Sequence, residues 1–98
     1  MLKDILNRRL EVDWKGGKTL NIQELTTKDW FEMIEIEKLE DPVKSIESRL
    51  KFISKCLNRN LEGIRINKKD LEDVNVAYIN AIWLLLLTRM NEVVNDPN

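Results

Sequence analysis

We take the stretch from Ala77 to Val94, AYINAIWLLLLTRMNEVV, as the element around which the fold is built. On a helix its apolar side chains form one broad face, wide enough to line a small core. That face consists of Ile79, Ile82, Trp83, Leu86, Leu87, Met90, Val93 and Val94. Leu84 and Leu85 point to the flanks instead. A helix that is apolar on nearly all sides has to be covered on more than one side, by its own chain or by a partner.

The segments before this helix carry their own start signals. Asn75 predicts the N-cap of a helix over residues 76–94, and Asp96-Pro97 predicts its end. Asn67, with Asp70 three residues later, predicts a short helix over residues 68–73. Residues 64–66 are predicted to form a short extended segment. Two capped helices therefore follow one another in the last third of the chain.

A longer helix is predicted over residues 42–60. Asp41 can cap it, Pro42 suits its first position, and Gly63 can adopt the left-handed conformation that stops it. Apolar residues at spacings of three and four form a narrow seam for packing on other helices. The seam consists of Val43, Ile46, Leu50, Ile53 and Leu57. Phe52 and Cys56 lie roughly opposite the seam, so we expect a second small apolar spot there.

The clearest local signal lies at the start of a helix over residues 27–39. Thr26 and Asp29 form a capping box, and Leu25 can pack against the helix from the position before the cap. The predicted core stripe contains Trp30, Met33 and Ile34. Phe31 and Ile36 lie off this stripe, where they are either flanks of the core or contacts with a partner.

The chain opens with a predicted β-hairpin over residues 8–23. Apolar and polar residues alternate on both sides of Lys15-Gly16-Gly17, and the two glycines suit a tight turn. The segment from Met1 to Leu6 reads as a turn of helix or a loose arm. The predicted fold is a single helix-dominated α+β domain over residues 1–98, in which the hairpin packs on three to four helices.

Composition and charge limit the class of protein. Hydrophobic residues make up 43% of the chain and charged residues 34%, as in a folded domain. A lone cysteine excludes an internal disulfide and fits a reducing cytoplasm. Residues 24–41 contain seven acidic and two basic residues, and residues 42–69 contain eight basic and two acidic ones. Adjacent blocks of opposite charge are expected to attract one another within the fold or between copies. The apolar runs are too short to cross a membrane.

The sequence offers no set of residues for catalysis. The chain has no histidine, so the commonest general base and metal ligand is missing. We therefore expect no catalytic residue, no metal and no cofactor. A basic stripe on the second long helix could meet phosphates, but a solvated face or a dock for the acidic helix before it is favoured. The stripe consists of Lys44, Lys51, Lys55 and Arg59.

Two short motifs flank the second long helix. The first follows the hairpin and starts the first long helix. It consists of Glu24, Leu25, Thr26, Asp29, Trp30 and Glu32. The second precedes the last helix. It consists of Leu57, Leu61, Gly63, Ile64, Ile66, Asp70, Leu71 and Val74. In these motifs and in the order of its elements the chain resembles the phage tail assembly chaperones over roughly residues 10–90. It departs from their pattern in its short tail after Met90 and in a longer glycine segment.

The resemblance implies a non-enzymatic protein of a phage or prophage, made in the cytoplasm of the host bacterium. Such chaperones bind the tape measure protein and tail tube subunits while the tail is assembled. Alternatives are a structural subunit that stays in a phage-like particle, or a small regulator that binds nucleic acid through the second long helix. Association of the chain with itself is also open. The expected partner contacts are Leu84, Leu85, Phe52, Cys56, Phe31 and Ile36.

Overall fold

The computed structural model describes residues 2–95, and the side chains of residues 2–91. A two-stranded sheet and five helices make up this part of the chain. They are α1 (Leu2–Leu6), β1 (Arg9–Trp14), β2 (Lys18–Gln23), α2 (Thr27–Glu37), α3 (Pro42–Leu57), α4 (Lys68–Glu72) and α5 (Val76–Asn95). The helix-dominated α+β class with an N-terminal hairpin is confirmed, and α1 raises the helix count above the expected three to four. The predicted stop at Asp96-Pro97 lies outside the described residues.

The hairpin buries one face on the helices. β1 and β2 are antiparallel, with Val12 opposite Leu20 and Leu10 opposite Ile22. Val12, Leu20 and Ile22 are buried, as the period-two alternation predicts. Between the strands Gly16 and Gly17 both have a φ of 70°, the left-handed conformation that favours glycine.

The chain just after α3 pairs with the hairpin. The backbone N–H of Gln23 donates to the Arg59 carbonyl at 3.1 Å, and that of Leu61 donates to the Asn21 carbonyl at 3.0 Å. The strand-like pairing lies at Asn60, opposite Ile22, and not at residues 64–66, which form neither helix nor strand. This pairing adds a short strand-like contact along the outer edge of β2 and fixes the sheet to the end of α3.

Two asparagine side chains end α3, and Gly63 does not. The Oδ1 atom of Asn58 accepts from the Ile66 backbone N–H at 2.7 Å, and that of Asn60 accepts from the Ile64 backbone N–H at 2.9 Å. Because these side chains take the place of backbone partners, the chain leaves the helix after Leu57, earlier than predicted. Gly63 does have a φ of 74°, but in the loop that follows.

The start of α2 is fixed by the predicted capping box. The Thr26 hydroxyl accepts from the Asp29 backbone N–H at 3.1 Å, and the Asp29 carboxylate accepts from the Thr26 backbone N–H at 2.8 Å. The same carboxylate accepts from the Arg59 guanidinium at 2.7 Å. Asp29 is buried together with Met33 and Ile36, so the predicted stripe through Trp30, Met33 and Ile34 is displaced around the helix. This hydrogen-bonded ion pair draws the Asp29 side of α2 inward.

The core closes around Trp83 of α5. Its ring meets Phe52 of α3 edge-on, with 5.7 Å between the ring centroids. Its Nε1–H donates to a carboxylate oxygen of Glu37 at 2.6 Å, and the Arg49 guanidinium lies over the ring. One indole therefore joins α2, α3 and α5. The predicted core face of α5 is confirmed as far as Met90, and the side chains of Val93 and Val94 lie outside the described residues.

The capping box predicts a specific loss of stability. Thr26→Ala removes the side-chain acceptor for the Asp29 backbone N–H and should lower the free energy of unfolding by about 1 kcal/mol. The neighbouring Thr27→Ala is the matched control, because Thr27 is exposed and already inside the helix. Chemical denaturation of both variants measures the difference. Equal losses in the two variants would show that the cap does not hold the start of α2.

The buried carboxylate also predicts a pH dependence. Burial alone would raise the pKa of Asp29, but the hydrogen bonds from the Thr26 backbone and Arg59, with the charge of Arg59, lower it. Ionised Asp29 therefore stabilises the fold above its unfolded pKa of about 3.9 and loses this effect as the pH falls through the lower folded value. Asp29→Asn should lower the free energy of unfolding at pH 7 by about 1–3 kcal/mol.

The measurement is the free energy of unfolding between pH 7 and pH 2, compared for the wild type and Asp29→Asn. The difference between the two should shrink as the solution is acidified below about pH 4. Asp13→Asn serves as control, because Asp13 is exposed and forms no ion pair with a described residue. A difference between wild type and Asp29→Asn that stays constant over this range would contradict the prediction.

Candidate partner-binding surface

Over the part of α5 whose side chains the structure describes, residues 76–91, the exposed side carries no charged residue. Arg89 is the one charged residue between Val76 and Asn91, and it is held by Glu24 through its Nε at 2.9 Å and a terminal nitrogen at 2.6 Å. The exposed residues of this side are all uncharged, and we call them the α5 face. The α5 face consists of Ala77, Ala81, Leu84, Leu85, Thr88 and Asn91. Leu84 is 63% exposed.

The other long helices present charged residues to solvent. The exposed side of α2 carries Lys28, Glu32 and Glu35, and that of α3 carries Lys44, Glu47 and Lys51. Alternating charges keep such faces hydrated and resist burial against an apolar partner. The α5 face therefore stands out as the surface that could be covered at the lowest cost in desolvated charge.

The six expected partner contacts do not form one surface. Leu84 and Leu85 lie on the α5 face, and Phe31 is exposed on α2, where its ring stacks on Trp30 with 6.1 Å between centroids. Ile36, Phe52 and Cys56 are buried in the fold, so they do not form the exposed apolar spots that the sequence predicted. The physical reason is that α2 and α5 cover α3 from two sides. The far side of the α3 seam therefore becomes core.

Cys56 has the properties of a packed thiol. It is fully buried, and this burial raises the pKa of the thiol to about 11, although the guanidinium of Arg59 donates to its sulfur at 3.3 Å. A thiol with that pKa is almost entirely protonated at neutral pH and is a poor nucleophile. Its place beside the Asp29–Arg59 pair gives it a packing role.

The basic stripe of α3 is divided between two environments. Lys55 is hydrogen-bonded to Glu32 and lies 3.5 Å from Asp29, and Arg59 binds Asp29. Burial alone would lower the pKa of Lys55, but Glu32 and Asp29 raise it, so the ammonium is held in its charged form. The prediction that this stripe docks the acidic helix is confirmed for these two residues. Lys44 and Lys51 are exposed to solvent.

The structure has a second apolar surface that was not predicted from the sequence. A groove of about 270 Å³ runs between α3, α4 and α5. It is lined by Ile46, Leu50, Leu71, Val74, Val76 and Ile79, with Arg49, Glu72 and Asn80 at its edge. Val43 and Ile46 belong to the predicted seam of α3, yet both are exposed, because α4 is too short to cover the first turns of α3. We call this surface the α3–α5 groove.

Two further observations concern cofactors and membranes. Among the residues that the structure describes, no three or more cysteine and carboxylate side chains lie together in a group that could hold a metal ion. None of the helices in this part of the chain is long and apolar enough to cross a membrane.

Comparisons of the chain with protein-family models, with curated proteins and with solved structures found no match.

Proposed function

We propose that this protein is a non-enzymatic assembly chaperone of the phage tail type. In this proposal it holds an apolar, helical segment of the tape measure protein on the α5 face while the tail is assembled. The observation that carries the proposal is the uncharged, exposed side of α5, with Leu84 at its centre. The tape measure protein and the tail setting come from the resemblance of the two sequence motifs.

The chemistry of the α5 face fits a helical occupant. Its residues extend from Ala77 to Asn91, which corresponds to about 21 Å of helix. A partner helix can lay apolar side chains along such a face at spacings of three and four residues. Small side chains at Ala77 and Ala81 let the partner backbone approach closely, and Leu84 supplies the main apolar contact. Burying one exposed leucine contributes about 1.5–3 kcal/mol.

The same face supports reversible binding. The core of this domain is closed by Ile82, Trp83 and Leu86, which lie on the opposite side of α5. The fold therefore does not need the partner in order to bury its core. A chaperone that leaves the finished tail has to be stable both with and without its client. In our proposal, tail tube subunits bind a separate surface, and the exposed Phe31 on α2 is the candidate contact.

Leu84→Gln tests this proposal. Leu84 is exposed, so the free energy of unfolding of the domain should change by only about 0.5 kcal/mol or less. Co-expressed with the tape measure protein of the same phage, the variant should leave much less of that protein in the soluble fraction than the wild type does. Leu61→Gln is the matched control, because Leu61 is also 63% exposed and lies in the loop after α3.

Two results would contradict the proposal. If Leu84→Gln unfolds the domain, the leucine belongs to the core and the α5 face is not a free surface. If Leu84→Gln folds and keeps the tape measure protein as soluble as the wild type and Leu61→Gln do, the α5 face does not bind it. A double variant with Leu85→Gln extends the test to the second leucine of the face.

A further inference from the structure

The α3–α5 groove is an apolar cavity that opens on the surface. Leu50 and Leu71 form its buried floor, and Ile46 and Val76 form exposed walls. Ile46 is 56% exposed, although it belongs to the predicted packing seam of α3. Apolar side chains arranged around a concave surface are suited to receive one or two side chains from a short helix.

A short helix with a matching apolar face lies at the other end of the same chain. α1 has five residues and buries none of them. Leu2, Ile5 and Leu6 are all exposed, and Leu6 is 81% exposed. Their spacing of three and four residues puts them on one side of the helix. A helix of one and a half turns is not stable alone in water, so α1 gains most of its stability by laying this side on another surface.

α1 cannot reach the groove of its own chain. Only Asn7 and Arg8 separate α1 from β1, and two residues span at most about 7 Å. The Arg8 carbonyl accepts from the Glu24 backbone N–H at 3.3 Å, which holds this point at the base of the hairpin. The other end of β1 adjoins the start of α5, where the Tyr78 hydroxyl donates to the Asp13 carbonyl at 2.6 Å. The six residues of β1 cover about 20 Å, so the helix and the groove are a strand length apart.

The charges around the two surfaces are complementary. Lys3 in α1 and Arg8 just after it form no ion pair with any described residue. The groove is bordered by Glu72, and Asp73 directly precedes its wall at Val74. Glu72 is half exposed and has only a loose pair with Lys68 at 3.8 Å, so both carboxylates can meet basic groups from outside. α1 also contains Asp4, so residues 2–8 have a net charge of +1 from Lys3, Asp4 and Arg8. At the edge of the groove Arg49 is paired with Glu37, which leaves the negative charges of Glu72 and Asp73. The exposed apolar side of α1 and its small positive charge therefore match the groove.

We propose that α1 of one copy of this chain docks in the α3–α5 groove of a second copy. The two surfaces are different patches of the molecule, so the contact is head-to-tail and can repeat into a ring or a filament. It uses neither Leu84 nor Leu85. This association is therefore separate from the proposed binding of a client on the α5 face.

Two variants and their mixture test this contact. Leu6→Glu puts a charge on the apolar side of α1, and Ile46→Glu puts one in the groove. Each variant alone should be monomeric in sedimentation velocity at concentrations where the wild type assembles. Mixed in equal amounts, they should form a dimer and nothing larger, because the Leu6→Glu copy keeps an intact groove and the Ile46→Glu copy keeps an intact α1. Leu61→Glu, a charge on an equally exposed leucine elsewhere, should assemble like the wild type.

Three results would overturn the proposal. These are a wild type that stays monomeric at millimolar concentration, a single variant that still assembles like the wild type, and a mixture that stays monomeric. Circular dichroism melts show whether each variant is folded. If Ile46→Glu lowers the melting temperature, Ile46→Ser replaces it, since a serine removes the apolar wall without burying a charge.

Discussion

The rest of this structure depends on the contacts of one buried carboxylate, that of Asp29. It caps α2 through the Thr26 backbone, and it pairs with Arg59 at the end of α3. The backbone of Arg59 in turn bonds to Gln23 at the end of the hairpin. The hairpin, α2 and the end of α3 therefore meet around the Asp29–Arg59 pair. A buried charge is stable only when its partners are in place, so this group admits one arrangement of the hairpin, α2 and α3.

This arrangement decides which apolar surfaces remain exposed. With α2 and α5 packed on the second half of α3, Phe52 and Cys56 are enclosed and the small core is complete around Trp83. Among the described residues 2–95, no element covers the first turns of α3 or the outer side of α5. The α3–α5 groove and the α5 face are thus two results of one packing arrangement. A chain of 98 residues has few elements with which to cover both.

Features set by neighbouring residues could be predicted from the sequence, and features set by distant ones could not. The caps at Thr26, Asp41 and Asn67 depend on groups within three residues and were confirmed. The flank position of Leu84 also follows from helix periodicity. The burial of Phe52 depends on which side of α3 receives α2, and no local pattern encodes that choice. The end of α3 was misplaced because Asn58 bonds to a residue eight positions later.

A double-mutant cycle on Asp29 and Arg59 tests this view of the fold most directly. The free energies of unfolding of Asp29→Asn, Arg59→Gln and the double variant are measured at pH 7 and compared with the wild type. If this pair joins α2 to α3, the double variant should lose less stability than the sum of the two single losses. The shortfall should be at least about 1 kcal/mol, as for contacting charged groups. Losses that add within about 0.3–0.5 kcal/mol would show that the two residues act independently and that the fold does not depend on their contact.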